Sequence, residues 1–183
     1  MEIQRLSTDV IVIGGGGAAC RAAIEVAEKG LNCILVDKGR PGRSGATPCA
    51  LWSIQAPFGP KGRDERDTPE QFFADMVNGG HFIGDQNIVE VVAFDACDRI
   101  LDMERYGVHF KKEDDGRFYQ TPMPGQTYPR SCFMIENGQH MSTVLAKEVS
   151  RHSNIKVFKD FFAYWLLKNK DRVVGLVGML AKS

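Results

Sequence analysis

Four consecutive glycines, Gly14–Gly17, follow an apolar run of β-branched residues, Val10–Ile13, near the start of the sequence. A glycine at position 14 allows a tight turn out of a strand, and Gly16 lets the backbone approach a phosphate closely. The Ala-rich segment that follows favours a helix, whose first backbone N–H groups and positive dipole end attract anions. Asp37 ends the next apolar run, where its carboxylate can accept hydrogen bonds from both ribose hydroxyls of an adenosine. The pattern predicts a dinucleotide site, with a negative charge that disfavours a phosphorylated ribose.

Glycine-rich turns also occur for purely structural reasons, so the order of the surrounding elements decides between the two interpretations. Here a strand, the glycines, a helix, a second strand at Cys33–Val36 and the acid follow one another. Ala19 takes the third small position of the fingerprint, which lets the helix pack closely on the strand. This order favours the dinucleotide site.

The segment after the second strand distinguishes FAD from NAD, which share this fingerprint. An NAD-binding domain would continue with a helix and a third strand, whereas here a Gly- and Pro-rich loop at 39–64 and two helices precede the strand at 156–158. Residues 43–47 of the loop offer small side chains and backbone donors suited to a pyrophosphate and a flavin. FAD is therefore favoured, with an NAD-binding domain kept as an alternative. The predicted cofactor-binding residues are Gly14, Gly16, Gly17, Asp37 and Lys38 for the ADP half, Arg43, Ser44, Gly45, Ala46 and Thr47 for the pyrophosphate and flavin, and Ala18 beside them.

Other reactive side chains lack the spacing that their chemistry needs. The four histidines form no H-x-x-H or H-E-x-x-H pattern and the five cysteines no C-x-x-C pair, so no metal site is predicted. Ser44 has no histidine and acid at recognisable spacing, which argues against a serine hydrolase. Arg130 and His140 lie in a segment that could face an active site, but a surface or structural role is favoured for both. No catalytic residue is predicted.

The composition is that of an ordinary globular protein. Of the 183 residues, 43% are hydrophobic and 25% charged, and 23 Lys and Arg balance 23 Asp and Glu. These values argue against disorder and provide no basic excess for nucleic acid. No apolar run reaches the roughly 18 residues of a membrane helix, and no signal peptide is recognisable, so we expect no direct membrane insertion. Scattered cysteines indicate reduced thiols in the cytoplasm.

Hydrophobic periodicity and capping residues predict the elements that position the glycine turn. They are strands at 10–13 and 33–36 around a helix at 18–29, helices that follow Thr68 and Asp85 and end near Asn78 and Gly107, a helix at 141–151, and strands at 156–158, 161–167 and 172–179. Gln71 is expected to complete a capping box with Thr68. Trp52 is expected to be a packing aromatic, and Trp165 to lie in the core.

The quoted motifs resemble the fumarate reductase/succinate dehydrogenase flavoprotein superfamily, which includes L-aspartate oxidase and the adenylylsulfate reductase α subunit. The resemblance rests on the glycine turn and its helix, Asp37-Lys38, Arg43–Ala46, Arg130 and Arg172–Val177. It implies an α/β fold, a Rossmann-like FAD-binding domain of the glutathione-reductase type. The implied chemistry is hydride transfer at flavin N5, with a small-molecule substrate and electrons exchanged with an iron–sulfur partner. Members that tether FAD covalently carry a histidine where this chain has Gly45, so non-covalent FAD is expected.

The resemblance also predicts the domain organisation. Residues 1–183 would form the N-terminal portion of one FAD-binding domain, with a cofactor loop at 39–64, a mainly helical insertion at 68–151 and a strand-rich end at 155–180. The capping and C-terminal parts of the family are expected to be absent, which would leave this chain inactive alone. An association peripheral to a membrane would then come through a partner. The alternatives are an adenylylsulfate reductase α-like flavoprotein and a non-catalytic nucleotide-binding subunit.

Overall fold

A computed structural model describes residues 3–50 and 52–181, which form four α-helices and eight β-strands. The helices are α1 (Gly17–Glu28), α2 (Pro69–Gly79), α3 (Gln86–Tyr106) and α4 (Gly138–Arg151). The strands are β1 (Val10–Ile13), β2 (Cys33–Val36), β3 (Ser53–Gln55), β4 (Gln120–Thr121), β5 (Ser131–Phe133), β6 (Ile155–Phe158), β7 (Phe161–Asn169) and β8 (Arg172–Leu180). None of the helices in these described ranges is both long enough and apolar enough to cross a bilayer. The elements fall into two compact units, one made of residues up to 50 and from 138 onward, the other of residues 51–137.

A parallel three-stranded sheet organises the first unit, with β2 between β1 and β6. Ile13 pairs with Val36, and Val36 pairs with Phe158, so all three strands end at one edge of the sheet. The central strand is the most buried, as its β-branched and Leu-rich sequence predicts, and Leu35 is fully inaccessible. The predicted β-α-β unit and its parallel strands are therefore confirmed.

Helices α1 and α4 supply apolar faces to the core of this unit. The buried residues of α1 are Cys20, Ala23, Ile24 and Ala27, and the buried apolar residues of α4 are Met141, Leu145 and Val149. The spacing of both sets is helical. Helix α4 begins at Gly138, three residues before the predicted start at Met141, because the Gly138 N–H donates to the Ala50 carbonyl at 3.0 Å and extends the first turn.

Strands β7 and β8 form a separate antiparallel hairpin in the same unit. The predicted strands extend slightly further, and the turn falls at Lys170, whose φ is +53°. The expectation that Trp165 lies in the core is wrong, since it is 66% exposed. A two-stranded sheet has two faces, and here many apolar side chains of both strands remain accessible, Trp165 among them.

The second unit combines α2 and α3 with an antiparallel sheet in the order β3-β5-β4. Its core contains Phe58 stacked on Phe118, with ring centroids 3.9 Å apart. Trp52 does not join that core, because it is 56% exposed, so the packing role expected for it is wrong. The predicted segments 39–64, 68–151 and 155–180 do not coincide with the two units, and their assignment to one cofactor-binding domain stays a prediction.

Capping explains where α2 and α3 begin. The Thr68 hydroxyl accepts from the Gln71 N–H at 3.2 Å, and the Asp85 carboxylate accepts from the Asn87 N–H at 3.0 Å. The capping box itself is not formed, because the Gln71 side chain donates to Asp75 at 2.9 Å and to Thr127 at 3.1 Å. Helix α3 ends as predicted at Gly107, whose φ of +112° suits glycine.

Candidate functional site

The glycine run makes the turn between β1 and α1 that the fingerprint requires. Gly14 has a φ of +121° and donates its N–H to the Val36 carbonyl at 2.8 Å, which fixes the turn to the end of β2. Only glycine adopts this backbone conformation readily. An ideal Cβ at Gly14 would lie 3.7 Å from the Ala19 Cβ, which is ordinary contact and explains why position 19 is small.

Helix α1 directs free backbone donors toward this turn. Gly16 is the N-cap residue and offers no side-chain cap, and the first turn of the helix contains no acidic residue. Ala18 and Ala19 lie in that first turn, where backbone N–H groups have no acceptor within the helix. The positive end of the helix dipole is therefore left for an external anion such as a phosphate.

Asp37 lies at the tip of β2 and is held at both backbone groups. Its N–H donates to the Phe158 carbonyl at 3.0 Å, and its carbonyl accepts from the Phe161 N–H at 2.8 Å. The side chain is 6% exposed, and its Oδ2 accepts a hydrogen bond from the Ser44 hydroxyl at 2.5 Å. The carboxylate thus stands beside the glycine turn in a fixed position.

Sequence reasoning missed the role of Gly15. An ideal Cβ there would lie 2.5 Å from Asp37 Oδ2 and 3.0 Å from the Pro41 Cα, so a side chain would displace the carboxylate. The available signal was the uninterrupted run of four glycines, which is longer than the fingerprint itself demands. The extra glycine makes room for the acid.

The loop after β2 packs its backbone against the glycine turn. Gly45 has a φ of +77°, and a Cβ there would lie 3.3 Å from the Gly16 Cα. The Thr47 hydroxyl accepts the Gly17 N–H at 2.9 Å, which caps α1 from outside the helix. Glycine is needed at position 17 for this approach, because a Cβ would lie 2.9 Å from Thr47 Oγ1.

The remaining predicted cofactor residues lie on the surface of the same unit. The structure leaves Lys38, Arg43 and Ala46 exposed, near the ends of elements that already carry the turn and the acid. Two exposed cations and a helix N-terminus make the surroundings favourable for a pyrophosphate, while Asp37 suits hydroxyl donors. The structure therefore brings the predicted residues together, and direct contact of each with a cofactor stays a prediction.

Helix α4 anchors the loop from the other side. The Gln139 side-chain amide donates to the Gly42 carbonyl at 2.9 Å. Gly42 has a φ of +83°, and a Cβ there would lie 2.9 Å from the Ala146 Cβ. A cavity of about 490 Å³ opens beside this contact, lined by Pro41, Gly42, Arg43, Gln139, Thr143 and Ala146. Neither Gln139 nor Ala146 was predicted, because both act across a long stretch of sequence.

The thiols do not add nucleophilic chemistry to the described units. Burial raises the pKa of Cys20 to about 11, and the nearby charge of Asp37 adds to that shift. Burial likewise raises the pKa of Cys97 to about 11 and that of Cys132 to about 12. A thiol with such a pKa is protonated at neutral pH and reacts slowly.

Arg130 has a structural role in the second unit. It is fully inaccessible, donates through Nε and one terminal nitrogen to Asp67 at 3.1 and 2.8 Å, and donates through the other to Asp75 at 2.7 Å. The structural role favoured for it over catalysis from the sequence is what these contacts show.

Comparison with known proteins locates this geometry in a family. A family model described as an FAD binding domain matches residues 9–183. The A chain of the fumarate reductase (CoM/CoB) of Methanothermobacter marburgensis is 38% identical over 180 residues, covering 98% of this chain and 32% of that protein. A solved variant of the E. coli quinol fumarate reductase has a TM-score of 0.87 at 27% identity, over 97% of this chain and 30% of that one. Adenylylsulfate reductase from Archaeoglobus fulgidus has a TM-score of 0.77 at 25% identity, over 94% of this chain and 27% of that one.

Proposed function

The chain belongs to the FAD binding domain family, and from that membership we propose that it forms the cofactor-binding part of an FAD-dependent oxidoreductase of the fumarate reductase/succinate dehydrogenase type. Membership confirms the resemblance, the fold class and the FAD cofactor predicted from the sequence. The observation that carries the proposal is the glycine turn at the N-terminus of α1 with Asp37 at the tip of the adjacent parallel strand.

The chain spans 32% of the length of the Methanothermobacter relative, so the reaction of a whole protein is part of the proposal. Bound FAD supplies hydride transfer at its N5 atom and stores the electrons. The residues of this chain bind and orient. The free N–H groups at the start of α1 face the pyrophosphate, and Asp37 accepts from the adenosine ribose. Lys38 and Arg43 add positive charge near the phosphates.

Gly45 supports non-covalent attachment of the flavin. It occupies the place where tethering members of the superfamily carry a histidine, and its φ of +77° brings the loop backbone against Gly16. A side chain at this position would be strained. The loop therefore serves close approach of its backbone, and the cofactor would be released when the protein is denatured.

An electron-exchanging iron–sulfur partner, a small-molecule substrate and a cytoplasmic location complete the proposal. Similarity at 38% identity to the fumarate reductase of Methanothermobacter supports the first two. The adenylylsulfate reductase alternative has less support, because its TM-score of 0.77 is below the 0.87 of the quinol fumarate reductase.

Spectroscopy of the purified 183-residue chain reconstituted with FAD tests the proposal. We expect a flavin absorption band that follows the protein through gel filtration and passes into the supernatant after acid precipitation. Asp37→Ala should weaken FAD binding about 10- to 100-fold, the value of hydrogen bonds to a charged group. Asp171→Ala, which removes an exposed carboxylate, is the matched control and should bind FAD like the wild type. A chain that binds NADH but not FAD would contradict the proposal, and flavin retained in the acid pellet would contradict non-covalent attachment.

A further inference from the structure

The Ser44 hydroxyl is committed to the protein on both of its hydrogen-bonding sides. It donates to Asp37 Oδ2 at 2.5 Å and accepts from the Arg40 N–H at 3.1 Å. A hydroxyl has one hydrogen to donate, so Ser44 cannot donate to a phosphate while it holds Asp37. The hydrogen bond to an ionised carboxylate is also the stronger kind. Its contacts therefore link Ser44 to the acid at the tip of β2.

Two glycines keep space for this pair. A Cβ at Gly15 would lie 2.5 Å from Asp37 Oδ2, and a Cβ at Gly39 would lie 2.8 Å from Ser44 Oγ. The two positions come from opposite ends of the β-α-β unit, one before α1 and one after β2. The fold thus leaves out side chains on both flanks of the Ser44–Asp37 contact.

The contact leaves one carboxylate oxygen for a ligand. In residues 3–50 and 52–181, the side-chain hydrogen bond to this carboxylate is the one from Ser44, and it uses Oδ2. The terminal torsion of an aspartate is broad and roughly two-fold, so without a partner the two oxygens exchange places readily. With Ser44 on Oδ2, Oδ1 is held in one direction.

We propose that Ser44 is a positioning residue for ribose recognition: it fixes the Asp37 carboxylate so that Oδ1 accepts a ribose hydroxyl of the adenosine. This inference rests on the proposed cofactor site and assigns Ser44 an indirect part in it. Fixing a side chain before the ligand arrives removes an ordering cost from binding. Loss of that preorganisation should weaken binding about three- to tenfold, and only for ligands that use the ribose hydroxyl.

ADP and 2′-deoxy-ADP, titrated calorimetrically into the 183-residue chain, test the proposal. The wild type should prefer ADP, and Asp37→Ala should remove the preference. Ser44→Ala should reduce the preference about three- to tenfold while leaving 2′-deoxy-ADP binding nearly unchanged. In the Asp37→Ala background, Ser44→Ala should add nothing, because the residue through which it acts is gone.

Two further glycine variants guard against an effect of folding. Gly39→Ala pushes on Ser44 Oγ and should reproduce the lost preference, whereas Gly79→Ala, with open space around its Cβ position, should not. Ser150→Ala repeats the serine change at an exposed site and should match the wild type. The ratio of the two affinities within one variant is independent of the fraction of folded protein.

The outcomes separate the inference from the function on which it rests. Ser44→Ala and Gly39→Ala variants that lose ADP and 2′-deoxy-ADP affinity equally would overturn the positioning role and leave the cofactor site intact. A wild-type chain that binds neither ADP nor FAD would overturn the proposed function itself.

Discussion

Each unit of the molecule contains a buried charged side chain, and the two are satisfied to different degrees. Arg130, in the second unit, is fully inaccessible and uses three guanidinium nitrogens on two carboxylates. Its plane also lies 4.8 Å from the ring centroid of Phe72. Asp37, in the first unit, is 6% exposed and receives one side-chain hydrogen bond, from Ser44. Arg130 has little capacity left for a ligand, and Asp37 has some.

The difference separates a charge that builds the protein from a charge that serves a site. A buried ion that is fully paired contributes specificity to the fold, and removing one member leaves the others buried without compensation. A carboxylate at the end of a parallel strand, with an oxygen left over and a helix N-terminus beside it, is placed where α/β folds bind ligands. Variants of the two residues should therefore differ in what they change: Arg130 variants in stability, Asp37 variants in nucleotide affinity.

Replacing Arg130 should have the largest effect. Arg130→Met removes the cation between Asp67 and Asp75 and should lower the free energy of unfolding by about 3–5 kcal/mol. Urea denaturation followed by circular dichroism measures the loss. Arg99→Met, whose ion pair with Asp102 at 3.3 Å is on an exposed helix face, is the matched control and should change stability little. Equal losses for Arg130→Met and Asp37→Ala would remove the distinction between the two charges.

Asp75 sharpens the comparison through pH. Burial alone would raise the pKa of Asp75, but hydrogen bonds from Thr127, Gln71 and Arg130 outweigh it and hold the pKa below its usual value. A carboxyl whose folded pKa is depressed stabilises the protein above its unfolded pKa of about 3.9, and that stability is lost as the pH falls toward the folded pKa. Asp75→Asn should therefore cost about 1–3 kcal/mol at pH 7.

The same variant should lose less than the wild type on acidification. The difference in unfolding free energy between wild type and Asp75→Asn should be constant above about pH 5 and shrink below about pH 4. Denaturation midpoints measured from about pH 7 to about pH 3 give this difference. Asp114→Asn, at an exposed turn of the same unit, should follow the wild type throughout. A difference that grows toward low pH would contradict the depressed pKa.

The features that could be predicted from the sequence are those whose signals are local. The strand, glycine turn, helix and second strand of the first unit lie within consecutive residues, and their spacing identifies both the parallel pair and the cofactor class. Caps at Thr68 and Asp85 are equally local, so the starts of α2 and α3 were predictable.

Partners distant in sequence had no such signal. Arg130 meets Asp67 and Asp75 across 63 and 55 residues, and Gln139 meets Gly42 across 97. Gln71 fits the capping pattern but finds Thr127 across 56 residues instead. Trp165 has the composition of a core strand residue, yet it lies in a two-stranded hairpin and remains exposed. Composition and spacing indicate that a residue is buried or polar, but not which distant group it meets.

Thr47 gives the smallest expected effect and tests whether the loop is held by the same kind of satisfied contact as Arg130. Its hydroxyl accepts the Gly17 N–H at 2.9 Å in a partly buried, uncharged hydrogen bond, so Thr47→Ala should cost about 1 kcal/mol, as for other helix caps. Thr47→Ser keeps the oxygen and should retain most of the stability, whereas Thr47→Val keeps the shape and should lose as much as Thr47→Ala. Thermal unfolding of the three variants without nucleotide decides the matter, since the contact exists within the protein itself. If serine were as destabilising as alanine, packing of the methyl group rather than the cap would hold the loop to α1.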